Sequence, residues 1–221
     1  MSEKAYSELR CAIIEHRIKP GEQLDADRIG TSFGFSRAPV VEALGLLKAE
    51  GLVVTRQRVG TFASPLARDR LDDVFEARQM IEHWMVPDIV RRVSNLQLED
   101  LSALLDETRA LTRAATGGQA FDYRRYMHLD QEFHARLVGF AGRDLYARWF
   151  GELAAHMQRV RNLFRGDPLP RSLDGQREHE AILAAFFARD GEAAREGLML
   201  HAARSRTGAL AIVEANQGTA G

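Results

Sequence analysis

One stretch constrains the fold more than any other: Gly34-Phe-Ser-Arg-Ala-Pro-Val-Val-Glu-Ala-Leu-Gly-Leu-Leu-Lys-Ala-Glu-Gly51. It predicts a turn followed by a helix whose first turn faces outward. Ser36 stands at the N-cap, where its hydroxyl can accept from a first-turn N–H that lacks a helical partner. Pro39 is tolerated nearby because those N–H groups are unpaired anyway. Val40, Leu44 and Leu47 recur at helical spacing and form an apolar stripe. Gly51 predicts the C-terminal stop. Gly45 sits mid-helix, at a cost of about 1 kcal/mol relative to Ala, and nothing in the sequence explains it.

The flanks fit around this helix. Tyr6, Leu9, Ile13 and Ile14 predict an amphipathic first helix, which Lys19-Pro20-Gly21 ends. Asp25 caps a short second helix carrying Ile29 and Phe33, and Gly34 turns into the third. Downstream, Leu52-Val53-Val54 and Gly60-Thr61-Phe62-Ala63 are β-prone runs around the basic segment Thr55-Arg56-Gln57-Arg58-Val59. Three helices and a basic hairpin are how a winged helix-turn-helix offers its third helix to the major groove of DNA. Arg37 in the first turn would reach a base edge or a phosphate. Ser36 would touch a phosphate, and Arg28 on the second helix would meet the DNA backbone. Arg56 and Arg58 would lie on the wing, and Gly60 would let its backbone approach closely. Any one of these arginines taken alone is an ordinary solvated charge.

Charge limits this reading. The 221 residues carry a net charge of −1, so nucleic-acid binding needs a local basic patch. Glu22, Asp25, Asp27 and Glu42 offset the nearby bases, which predicts weak non-specific binding and a shallow salt dependence. Cys11 is the only cysteine; it excludes an intramolecular disulfide and fits a reducing cytoplasm. The start of the chain has no apolar signal-peptide core, and no run of about 18 apolar residues predicts a membrane span. The expected location is cytoplasmic.

Ser64-Pro65 breaks the pattern, and everything beyond predicts helix. Six helices are expected: 71–93 with a kink at Pro87, then 98–116, 121–140, 145–164, 173–188 and 190–214, with a frayed tail after Ala215. The fold class is therefore mostly α. A winged helix-turn-helix of three helices and a small β-hairpin occupies 1–64, and an all-α six-helix bundle occupies 65–221. Asp130 and His134, four apart, share one helix face. His179 and His201 lie on the fifth and sixth bundle helices. Three imidazoles and one carboxylate suit Zn²⁺, Ni²⁺, Mn²⁺ or Fe²⁺, although the sequence alone does not bring them together. Arg78 and Glu82 are spaced for an intrahelical ion pair. His156 and Arg161 could face the same interior, Arg161 as a carboxylate donor.

Residues 9–63 resemble the winged helix-turn-helix of GntR-type transcription regulators. The matching residues are Ile18-Lys19-Pro20-Gly21 with Leu24, Gly34 to Val40, Glu42-Ala43-Leu44, Glu50-Gly51-Leu52-Val53 and Gly60-Thr61. Asp130-Gln-Glu-Phe133-His134, Glu178-His179-Glu-Ala-Ile182, Ala194 and His201 resemble the FCD-type effector domain of the FadR subgroup. The resemblance implies a ligand-responsive transcription regulator, a repressor, that binds a palindromic operator in double-stranded DNA as a homodimer. It implies DNA contacts from Arg28, Ser36, Arg37, Pro39, Arg56, Arg58, Gly60 and Thr61. It also implies a divalent metal, Zn or Ni before Mn or Fe, on Asp130, His134, His179 and His201. A small carboxylate effector would be met by Arg78 and Arg161. The protein would not be an enzyme; the alternatives are a metal-dependent enzyme or a pure metal sensor on the same helical domain. Two positions depart from the family pattern. Val41 replaces the usual Arg before Glu-Ala-Leu, which leaves the operator open, and Arg143 replaces a turn Asn.

Overall fold

The computed structural model describes residues 1–217. Three helices come first: α1 (Ser2–Ile14), α2 (Ala26–Phe33) and α3 (Arg37–Ala49). An antiparallel hairpin follows, β1 (Val53–Arg56) with β2 (Gly60–Ala63), registered Val53 to Ala63 and Arg56 to Gly60. The bundle helices are α4 (Arg68–Arg92), α5 (Asn95–Thr116), α6 (Tyr123–Gly139), α7 (Asp144–Arg161), α8 (Leu169–Phe187) and α9 (Gly191–Gln217). The chain is thus a winged helix-turn-helix followed by a six-helix bundle. Among the described residues no helix is long and apolar enough to cross a membrane.

The local chemistry explains the turns. The Asp25 carboxylate accepts from the N–H groups of Asp27 and Arg28 and starts α2. Gly34 ends α2 at a φ of 73°, a left-handed conformation that suits glycine. A side chain at Gly30 would run into the Phe35 carbonyl oxygen at 2.6 Å, so the α2–α3 turn closes only over a glycine. Ser36 is the N-cap of α3, but its hydroxyl makes no capping hydrogen bond; it stands exposed to solvent, which competes for it. Pro87 lies within α4, and the helix continues to Arg92 on its far side. Ser94 and Gln97 form a reciprocal capping box that opens α5. The tail expected to fray is still helical through Gln217; residues 218–221 lie outside the described residues.

Each half has a main core. Leu9, Ile13, Ile29, Val40, Leu47 and Leu52 fill the first. Ile89, Leu101, Phe133, Leu137, Ile182 and Phe186 anchor the second. A smaller third cluster of Leu71, Val74, Phe75, Val160 and Val213 packs α4, α7 and α9 together. α7 joins the two halves. Its Asn162 side chain donates to the Ile14 carbonyl at 2.8 Å. Its Arg159 side chain donates to the Ser64 carbonyl at 2.5 Å, and its Arg159 carbonyl lies 2.6 Å from His16 Nε2. His156 does not face the bundle interior as its position on the helix had suggested. Its Nε2 lies 2.9 Å from the Glu50 carbonyl, because that face of α7 packs against α1 and the end of α3.

Candidate metal centre and ligand cavity

α6, α8 and α9 bring four donors to one buried point. Asp130, His134, His179 and His201 place their ligand atoms within 4.8 Å of one another. His134 Nε2 lies 3.1 Å from both His179 Nε2 and His201 Nε2, and the last two are 3.4 Å apart. A metal–imidazole bond of ~2.1 Å puts neighbouring nitrogens roughly 3.0 Å apart at right angles and ~3.4 Å apart at a tetrahedral angle. The observed spacings span those two values.

The groups behind the donors set their tautomers. Glu178 Oε2 is hydrogen-bonded to His201 Nδ1 at 2.8 Å, and Glu82 Oε1 lies 2.7 Å from His134 Nδ1, off the hydrogen-bonding angle but close enough for its charge to hold the proton there. A neutral imidazole carries one N–H. With that proton turned toward a carboxylate, each Nε2 presents a lone pair to the centre. Two such lone pairs 3.1 Å apart repel unless a cation lies between them, so the donor set fits a metal ion. Burial lowers the pKa of all three imidazoles, that of His134 to about 4. All three are thus neutral and able to ligate near neutral pH. Burial would raise the Asp130 carboxyl, but Arg161 and the imidazoles hold it well below the usual carboxylate range.

The arginines around this centre divide in two. Arg78 forms a two-pronged ion pair with Glu82, at 2.9 and 3.3 Å. Its guanidinium carbon also lies 5.6 Å over the Phe150 ring. Both Arg78 and Glu82 are buried. Burial would raise the Glu82 carboxyl, yet Arg78 and His134 bring it down to about 2. Arg78 thus takes the intrahelical pairing that its spacing to Glu82 predicts, and it is not among the residues that line the neighbouring cavity. Arg161 differs. It pairs with Asp130 and lines a cavity of about 150 Å³. Asp130 and His201 are the donors that reach this wall.

Local spacing marks Glu82 only as a partner of Arg78 and Glu178 only as a neighbour of His179. Glu178 is held by Arg171 at 3.0 Å and Arg204 at 2.9 Å. It reaches His201 across 23 positions, a separation that no local spacing rule detects.

The DNA-side residues are arranged differently. Arg37 begins α3, is exposed and pairs with Asp27 of α2. Arg28 on α2 is exposed, with Glu22 3.7 Å away. Pro39 lies in the first turn of α3. Arg56 sits 5.0 Å over the Phe62 ring, and Arg58 holds a φ of 61° in the turn between the strands. Gly60, at a φ of 136°, begins β2, and Thr61 follows it. Val41 is 50% exposed on α3.

Comparison with known proteins agrees with this architecture. Residues 1–63 match the family described as bacterial regulatory proteins, gntR family, and residues 73–204 match the FCD domain. The chain belongs to the gntR family of bacterial regulators, in the form that carries an FCD domain. It is similar to the uncharacterised HTH-type transcriptional regulator YdhC of Bacillus subtilis, 27% identical across 89% of this chain and 85% of that protein. It is also similar to the HTH-type transcriptional repressor RspR of Escherichia coli, 26% identical across 91% of this chain and 85% of that one. In fold it resembles E. coli McbR/YncC, with a TM-score of 0.75, 19% identity and 98% coverage of both chains. A GntR-type regulator from Rhodococcus sp. RHA1 aligns with a TM-score of 0.73, 20% identity and coverage of 95% and 97%. The protein is a DNA-binding transcription regulator, and its families comprise regulators rather than enzymes.

Proposed function

We propose that this regulator is a repressor whose helical half, residues 65–221, takes a divalent metal and a small carboxylate effector, and thereby controls the DNA-binding half, residues 1–64. The observation that carries this is the trio of Nε2 atoms and the Asp130 carboxylate, two of whose members form the wall of a cavity that Arg161 also lines. Asp130, His134, His179 and His201 would hold the ion, Zn or Ni before Mn or Fe. The ion supplies a Lewis-acidic position for a carboxylate oxygen. Arg161 balances the charge of Asp130 and faces the incoming anion. Arg28, Ser36, Arg37, Pro39, Arg56, Arg58, Gly60 and Thr61 would meet the operator, in the cytoplasm where the DNA lies.

A palindromic operator needs two copies of the reading helix. Trp84 is 76% exposed and Met80 72% exposed on α4, and Trp149 stands near them on α7. An exposed apolar patch of this kind suits a homodimer contact. Trp84→Glu should shift the protein toward monomer in sedimentation velocity.

The test of the main reading is a gel shift on the DNA upstream of the gene, with and without small carboxylates, using protein of measured metal content. No retardation of any palindrome at low salt would sink it. The second reading, a direct metal sensor with no organic effector, rests on the burial of the donor set. It predicts that chelation alone shifts both melting and DNA binding, while carboxylates shift neither.

A further inference from the structure

We infer that the anion taken by this cavity is a monocarboxylate with an aromatic or similarly flat apolar body, an inference that rests on the reading of the cavity as an effector site. The argument begins on α6. Tyr123, Tyr126 and Asp130 are spaced i, i+3 and i+7, so they stack along one helix face, and all three line the cavity. Seven residues at ~1.5 Å each separate the carboxylate level from the first tyrosine by roughly 10 Å. Along this face of α6 the lining therefore changes from a carboxylate to aromatic rings over a length that suits a ring bearing one acid group.

The aromatic end is built for flat contact. Tyr123 and Tyr126 stack with centroids 6.5 Å apart and planes 14° apart. Phe164 meets Tyr123 from the loop after α7, at 6.4 Å and 60°. The Tyr126 hydroxyl donates to the Ser172 carbonyl at 2.9 Å, which occupies its polar end and leaves the ring to the cavity. Rings placed this way favour offset or edge contacts with a further ring.

The charged groups argue against a polyanion. Arg161 is engaged by Asp130. Arg171, also in the wall, is engaged by Glu178 at 3.0 Å and by Ser205 at 3.2 Å. A second carboxylate would have to break one of these pairs, whereas an apolar body disturbs neither.

The experiment is isothermal titration of the full-length, zinc-loaded protein with acetate, phenylacetate and succinate. Phenylacetate should bind roughly 10- to 100-fold tighter than acetate, the return expected from burying a ring of that size, and tighter than succinate. In Phe164→Ala the ratio of phenylacetate to acetate affinity should shrink to within about threefold; Tyr123→Leu serves as the second variant should the first misfold. Succinate binding as tightly as phenylacetate, with that advantage lost in Arg171→Gln, would overturn the inference and leave the carboxylate-effector reading standing. Equal binding of all three acids would also overturn it, because the aromatic wall would then contribute nothing. If none binds to protein that retains its zinc by elemental analysis, both the inference and the effector reading fail.

Discussion

Arginine is used in opposite ways at the two ends of this molecule. In the helical half Arg78 is 0% exposed and closes on Glu82 with two contacts, which orients Glu82 against a histidine of the donor cluster. In the DNA-binding half Arg37 and its partner Asp27 are both exposed. A buried pair is weak evidence of net stability, but losing one member leaves an uncompensated charge out of water. An exposed pair is worth little and can open to meet a phosphate. One set of arginines therefore fixes geometry, while the other is available for exchange.

Breaking each kind of pair sharpens that contrast. Glu82→Ala should cost the fold about 3–5 kcal/mol, read as a lowered denaturant midpoint, whereas Asp27→Ala should leave the midpoint nearly unchanged. A small effect at Glu82 would erase the distinction. Arg37→Ala should weaken operator binding by about 1–3 kcal/mol without altering unfolding; fluorescence anisotropy on a labelled operator reads this. Val41→Arg adds a cation on an exposed face of the same helix. It should tighten DNA binding and steepen the salt dependence by about one unit of slope. Unchanged affinity would mean that α3 does not dock with that face on the DNA.

The smallest expected effect lies where the two halves meet. Burial lowers the pKa of His16 and His156 from the ordinary 6.5; the hydrogen bonds to the Arg159 carbonyl at His16 and to the Glu50 carbonyl at His156 offset only part of that lowering. The docked state therefore binds fewer protons than the undocked one between the lowered pKa values and 6.5. Its stability is complete above 6.5 and falls as pH drops below it. Limited proteolysis across residues 64–67 should accelerate on acidification from pH 7 to pH 5.5, and less so in His16→Gln.

Much of this contrast was legible in the residues, though unevenly. The helix-turn-helix could be read because caps, glycines and stripes are local signals, and Asp25 and Gly34 serve as expected. Ser36 takes its position without its bond, since solvent reaches the hydroxyl and the cap position does not reveal that. The i, i+4 pair Asp130 and His134 was visible on one helix, and so was Arg78 with Glu82. The convergence of His179 and His201 was not, because it depends on how three helices pack. The side that His156 takes was not legible for the same reason: a helix has two sides, and its sequence does not say which neighbour each will meet. The role of Glu178 toward His201 joins different helices and becomes apparent only once α8 and α9 lie together.

α7 has a consequence beyond packing. Within a few residues it contributes Arg161 to the cavity and Arg159, Asn162 and His156 to the DNA-binding half. Two occupants that bias one shared helix are bound by reciprocity. Whatever factor an acid in the cavity imposes on operator affinity, the operator must impose on the acid. DNA fragments thus become a probe of the cavity: titrating the acid against operator-bound and operator-free protein measures the same coupling from its other side.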